Sequence, residues 1–294
     1  MIKIYVSSLN LEHMQVYKNR FPDCELNVLL SYGTVASDYY EMIFKNRDQI
    51  SSLILDSGTF TKKFGSAAVS ESISFDGFLA YCLTVQSKFD MIFNFDEDFE
   101  PTGFAKNMRY LKRLKDHGVS VVPVVHDYKG NELDILISED FEMISLGWGK
   151  DDTKKKYYIK CVEKIKKAGK KVHLLGISTF SELYDVNADT CDSSNYAQAA
   201  KFGYMYYWDE NIKKTDKSTE LRFYDFSPEK DKALYFEDFV HKKEVEKYLS
   251  SELGVSYVDL YGHRKHFYRM LVNLDYYVKL QDRVRDAHRL KGWV

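Results

Sequence analysis

The chain has 294 residues, enough for one barrel-sized domain with an appendage, and its 4 prolines and lack of any Ser/Gly-rich tract leave no flexible linker between independent domains. A formal net charge of −2 argues against a protein that holds nucleic acid over its whole surface, and no apolar run approaches a membrane span. The four cysteines lack CxxC spacing, which excludes a cysteine-built zinc site and reads as reduced thiols.

MIKIYVSSLN enters a strand pattern at once, without signal-peptide character, so a cytoplasmic protein is expected. Short apolar runs, rich in β-branched and aromatic residues, follow in order: Ile2 to Val6, Asn27 to Leu30, Leu53 to Leu55 and Met91 to Phe95. An amphipathic helix is expected over Thr102 to His117, then runs at Val119 to Val125 and Met143 to Leu146. A second helix is expected over Thr153 to Gly169, then a run at Val172 to Leu175 and a weak last one at Ala188 to Cys191. Continuous apolar strands with helix-length spacers fit a (β/α)8 TIM-like barrel. The shortness of the second and eighth runs keeps an open doubly wound sheet as the alternative. After Tyr204 the alternation gives way to an aromatic, charged stretch and a long helical pattern from about Glu237 to Leu290. The expected organisation is a barrel over 1–203 and a C-terminal extension over 204–294 packed on it.

Three acids stand just past apolar runs: Asp56 in LILDSGTF, Asp96 in FNFDED and Asp192 in CDSSNY. They converge only if the strands run parallel and their ends share one mouth. Each also has a plainer use, since Asp-Ser-Gly is turn chemistry and the Asp96 to Asp98 loop or Asp-Ser-Ser-Asn can cap a following helix. His126 and Asp127 follow the fifth run in the same way and line the pocket or take buried hydrogen bonds. Trp148, between Gly147 and Gly149, stacks on a base or packs in the core. His173, inside a strand, reads as a hydrogen-bonded core residue, and neither metal nor cofactor is expected.

The charge is segregated. Lys150 to Lys171, which includes Lys154 and Lys155, carries 10 Lys/Arg against 3 Asp/Glu, and Gly262 to Val294 carries 8 against 3. In the second stretch Arg264, Lys265, Arg283, Arg285 and Arg289 lie near His266, Phe267, Tyr268, Tyr276 and Tyr277, a mixture that pairs phosphate contact with base stacking. Solvated helix faces are the plainer reading of both stretches. Phe267, Leu271, Leu274 and Val278 recur at helical spacing and mark a buried stripe. Tyr204, Tyr206, Tyr207 and Trp208 border the pocket or form an edge strand.

LDSGTF at 55–60, FDED at 95–98, LGWG at 146–149, HLLGIS at 173–178 and CDSSNY at 191–196 resemble, in order and barrel position, the tRNA-guanine transglycosylase superfamily. Its members exchange a guanine for a deazaguanine in nucleic acid. The resemblance implies Asp192 as nucleophile, Asp56 as the carboxylate that handles protons, Ser57 and Asp96 as base-edge contacts and Gly147 as a backbone contact. The chain lacks the cysteine-rich zinc site of the tRNA enzymes, has Ser-Ser-Asn-Tyr after the nucleophile, and has His126 where a Gln is expected. It is thus most similar to the zinc-free DNA transglycosylase branch of phages and bacterial DNA-modification clusters. That likeness implies DNA and a free 7-deazaguanine base as substrates, host cytoplasm as the location if phage-encoded, and leaves open a partner protein that opens the duplex. A tRNA substrate, a barrel glycosidase and a non-catalytic nucleic-acid-binding homologue are the alternatives.

The chemistry suits these residue types independently of the resemblance. A carboxylate ester at an anomeric carbon remains electrophilic toward an incoming base, and a second acid can protonate one base and deprotonate the next. A carboxylate also accepts well from a guanine-like edge of N1–H and exocyclic amine.

Overall fold

Alternation along each short strand sends one set of side chains into a barrel lumen and the other against a shell of helices. The computed structural model describes residues 1–7, 9–33, 37–64, 71–147, 152–224 and 233–293. Among them, eight parallel strands form one sheet: β1 (Lys3–Ser7), β2 (Asn27–Ser31), β3 (Ser52–Asp56), β4 (Met91–Ile92), β5 (Val124–Val125), β6 (Met143–Leu146), β7 (Lys171–Leu174) and β8 (Thr190–Ser193). Their order is β4-β3-β2-β1-β8-β7-β6-β5. The two edge strands meet through a parallel bridge between Phe93 and Val122, where Asn94 N–H donates to the Val122 carbonyl at 3.0 Å and Val122 N–H to the Ile92 carbonyl at 2.8 Å. The fold is an α/β TIM-like barrel, and the open-sheet alternative falls.

The lumen is packed by Tyr5, Leu29, Ile54, Phe93, Val122, Val124 and Met143, a cluster separate from the larger apolar layer between sheet and helices. On β1, Tyr5 points in while Ile4 and Val6 point out, the period-two consequence of the pleat. Helices α1 (Leu11–Arg20), α2 (Ser37–Lys45), α3 (Thr59–Phe64), α4 (Phe75–Val85), α5 (Phe104–Asp116), α6 (Glu132–Ser138), α7 (Asp152–Lys167), α8 (Phe180–Tyr184) and α9 (Asn195–Lys201) fill the connections. Several starts are set locally: Asn10 accepts from Glu12 N–H, Ser74 from Gly77 N–H, and Thr179 with Glu182 forms a reciprocal capping box.

Beyond the barrel, β9 (Tyr204–Trp208) and β10 (Ser218–Arg222) pair antiparallel, so the aromatic alternation at 204–208 is a hairpin strand. The expected continuous helix over 237–290 is broken. It divides into α10 (Lys242–Tyr248), a π turn at Leu249–Leu253, α11 (Tyr257–Tyr261) and α12 (Lys265–Leu290). Gly254, at φ 66°, ends the first segment in a left-handed conformation that suits glycine, and Ser256 starts the next with its own capping box. The 26-residue α12 lies against α1, α8, α9, β1 and the hairpin. It descends along the barrel: Arg264, just before it, pairs with Glu12, Tyr17 donates to Asp275, Ile4 N–H to Gln281, and Arg285 to the Ile2 carbonyl. None of the described helices is long and apolar enough to cross a membrane.

Candidate active site

Parallel strands place all their C-terminal ends at one mouth, and polar side chains gather there. Asp56 closes β3 opposite Ser31, its register partner on β2, whose hydroxyl donates to Asp56 Oδ2 at 2.8 Å. Gly58 N–H donates to the same oxygen at 3.0 Å. Only glycine fits that turn: φ is 76° and an added Cβ would fall 2.1 Å from the Tyr32 carbonyl oxygen. Asp-Ser-Gly is therefore a turn, and the same turn holds the carboxylate at the mouth. Burial first, and the charge of Asp192 to a lesser degree, push the Asp56 carboxyl above the usual carboxylate range, against the opposing donors Ser31 and Gly58.

Asp192 lies on β8, buried, and meets three hydrogen-bond partners from two other strands, β7 and β1. Gly176 N–H, past β7, reaches Oδ1 at 2.9 Å, His173 Nε2 on β7 faces the same oxygen at 3.4 Å, and the Ser7 hydroxyl at the end of β1 reaches Oδ2 at 3.2 Å. The N-cap of α9 is Ser194, and the side chain that meets the helix start is Ser193, which accepts from Asn195 N–H at 3.0 Å, so Asp192 is not consumed there. Such convergence orients an acceptor-only carboxylate.

Asp96 follows β4, buried, with Asn94 Nδ2 at 2.5 Å and His126 Nε2 at 3.3 Å. Its neighbours do other work: Lys62, Lys106 and Tyr110 gather on Glu97, which they hold down to about 2 against the opposing effect of burial, and Asp98 shapes a turn with Glu100 and Asn107. His126 is fixed from behind, because Glu132 accepts from the backbone N–H groups of His126 and Asp127 at 2.9 and 3.1 Å. Its ring packs on Phe99 at 5.1 Å between centroids. Gly147, past β6, leaves it room: a Cβ there would stand 3.0 Å from His126 Nδ1. Ser57 is buried beside Asp56 with its hydroxyl 3.1 Å from Thr59 Oγ1.

The structure thus brings Asp56, Ser57, Asp96, His126, Gly147 and Asp192 to one mouth and does not bring the basic residues of α12 there as a group. Arg285 is a correction. It sits at the opposite end of the barrel, buried, bound to the Ile2 carbonyl at 2.8 Å and to Glu25 at 2.6 and 2.9 Å, with no guanidinium face left for a phosphate. Arg289 lies at that end too, exposed and paired with Asp286 at 2.5 Å. Arg283 is half-buried over the Trp208 ring at 4.5 Å, and burial pushes its guanidinium pKa down. Arg264 and Lys265 stand at the mouth end of α12, Arg264 paired with Glu12 at 2.5 Å. Tyr206, Tyr207 and Trp208 pack on Tyr276 and Tyr277, on Phe239 and Tyr248, and on Phe180. Lys154 and Lys155 fall in the first turn of α7, and their side chains, like all of Trp148, lie outside the described residues.

Ser7, Ser31, His173, Gly176 and Glu132 belong to the site and were not singled out for it from the sequence. A signal existed for the serines, since each is the polar residue that ends an apolar run, as Asp56 does. For Glu132, six residues past His126 on a helix, no signal existed. Among the described residues no three His, Cys, Asp or Glu side chains cluster as metal ligands. Two open grooves of about 380 Å³ each occur at the other end of the barrel, one beside Lys166 and Trp293, one beside Cys24 and Gln281. No family model and no curated protein matches the chain.

Proposed function

We propose that the protein is a base-exchange transglycosylase that replaces guanine in DNA by a 7-deazaguanine derivative through a covalent bond between Asp192 and the sugar. The observation that supports this reading is a pair of carboxylates in one mouth with unlike surroundings, Asp192 oriented by three donors and Asp56 held toward its protonated form by burial and by Asp192 itself. In the first half-reaction an Asp192 oxygen bonds to C1′ as the C1′–N9 bond breaks. The bonding pair leaves with guanine, which takes the Asp56 proton. In the second, N9–H of the incoming deazaguanine gives its proton to Asp56, N9 bonds to C1′, and the ester opens to return the Asp192 carboxylate. Asp96, steadied by Asn94 and His126, accepts from N1–H and the exocyclic amine of either base. Extrusion of the target base from a duplex costs a few kcal/mol, to which Arg264 and Lys265 at the mouth end of α12 contribute through phosphate contacts.

The test is nucleoside mass spectrometry of DNA and tRNA from cells that express the wild-type protein or Asp192→Asn, with and without deazaguanine synthesis, plus denaturing electrophoresis with an oligonucleotide. Deazaguanine in DNA and a denaturation-resistant adduct, both lost in Asp192→Asn, are expected. Deazaguanine in tRNA alone would move the substrate, and wild-type exchange by Asp192→Asn would sink the mechanism.

A further inference from the structure

We infer that Thr190 and His173 form a positioning relay for Asp192, in which the Thr190 hydroxyl holds the imidazole through Nδ1 and the imidazole fixes the carboxylate. The importance of Asp192 in this inference rests on the transglycosylase reading; the proton arrangement does not. Thr190 and Asp192 are two apart on β8 and share a face, and His173 is the register partner of Thr190 on β7. The imidazole is 0% exposed. Its ring lies 4.6 Å from that of Phe93 and 6.4 Å from that of Tyr5, centroid to centroid. A ring so enclosed does not meet substrate, so its effect passes through the groups it touches.

Those are two, one per nitrogen. Nδ1 lies 2.8 Å from Thr190 Oγ1, and Nε2 lies 3.4 Å from Asp192 Oδ1. A carboxylate only accepts, so a bare Nε2 lone pair would face a lone pair, and the favoured neutral ring carries its proton on Nε2. Nδ1 is then an acceptor. Thr190 supplies the donor, because the other acceptor beside its hydroxyl is Met143 Sδ at 3.9 Å, a weak one. Oδ1 is thereby anchored by Gly176 N–H and His173 Nε2–H, while Oδ2 meets the Ser7 hydroxyl, a rotor that can turn aside. Oδ2 is the oxygen that attacks C1′, and the relay keeps it aimed.

Thr190→Val preserves shape and removes the hydroxyl; Thr190→Ser restores a donor. Nitrogen-15 NMR of the imidazoles, with His173 assigned through His173→Gln, should show the Nε2–H tautomer in wild type and Thr190→Ser and, in Thr190→Val, an Nδ1 signal moved by the loss of its hydrogen-bond donor. The rate of base exchange should fall about 10- to 100-fold in Thr190→Val, the usual cost of a slightly misaimed reacting group, with KM for the free base unchanged and Thr190→Ser close to wild type. A neutral His173 protonated on Nδ1 in wild type, or ring signals unmoved by Thr190→Val, overturns the relay. The tautomer readout needs no turnover, so absent exchange with the expected ring signals would sink the transglycosylase reading and leave the relay intact. Should Thr190→Val fold poorly, His173→Gln keeps an N–H near the place of Nε2 without needing Thr190. Thr190→Ala on that background should then cost no further rate, and a further tenfold loss overturns the relay.

Discussion

The two ends of the barrel handle buried polar groups in opposite ways. At the floor polar and charged groups are met by partners: Arg285 by Glu25 and the Ile2 carbonyl, half-buried Lys166 by Asp189 at 2.9 Å, Ser52 by Asp90 at 2.7 Å, and the Asn27 amide N–H by the Gln281 side-chain oxygen at 2.8 Å. At the mouth Asp56, Asp96 and Asp192 receive hydroxyls, amides and imidazoles, and no Lys or Arg among the described residues pairs with them. Paired charges at a floor hold the fold together, whereas acids gathered without cations cost stability and persist where chemistry needs them.

That contrast is broken most sharply by Asp56→Asn. If Asp56 carries protons, exchange falls by about 10²–10⁴ while a slow adduct with Asp192 still forms, as electrophoresis and labelled-guanine exchange would show. Stability should move the other way. Burial raises the folded pKa of Asp56 above its unfolded value. The stability it permits is therefore complete below about pH 4 and is lost as pH rises toward the folded pKa. Thermal unfolding should find the variant and wild type equal in acid and the variant more stable at neutral pH; a variant less stable at pH 7 would place Asp56 among the structural acids.

The floor predicts the reverse. Arg285→Ala should leave the mouth chemistry alone and cost about 2–3 kcal/mol in denaturant unfolding, toward the low side for a broken buried pair because Glu25, 35% exposed, can rehydrate. Arg289→Ala, an exposed i,i+3 pair, should cost less than about 0.5 kcal/mol. Equal losses from the two would erase the distinction drawn for α12.

A smaller effect sharpens the mouth itself. Gly147→Ala puts a Cβ 3.0 Å from His126 Nδ1 and 3.2 Å from the Val125 carbonyl oxygen. The ring shifts from Asp96, and KM for the free base should rise about tenfold, the equivalent of about 1.4 kcal/mol. Unchanged steady-state KM would remove His126 from base recognition.

The fold was legible where burial on both faces leaves only apolar residues acceptable. Leu53 to Leu55 stands out for that reason, while the fourth and fifth runs shrink to β4 and β5 because only part of each apolar segment pairs. The break in the helical pattern at 237–290 was missed because apolar spacing survives across Gly254, whose left-handed φ shows only in three dimensions. Arg285 read as a surface cation because a helix in isolation does not reveal that its far end passes under β1 and meets Glu25.

By itself the sequence determined the strands, their parallel sense and the three acids at their ends, since continuous apolar runs, helix-length spacers and a polar residue after each run are local properties. Tertiary structure alone decided that Ser7, Ser31, His173 and Gly176 complete the acids, that Glu132 steadies His126, and that α12 carries Arg285 and Arg289 away from the mouth. The physical reason is distance along the chain. Ser7 meets Asp192 and Arg285 meets Ile2 only because barrel closure and helix docking bring opposite ends of the sequence within hydrogen-bond reach, and no periodicity in a linear pattern encodes which of many polar residues such a meeting will select.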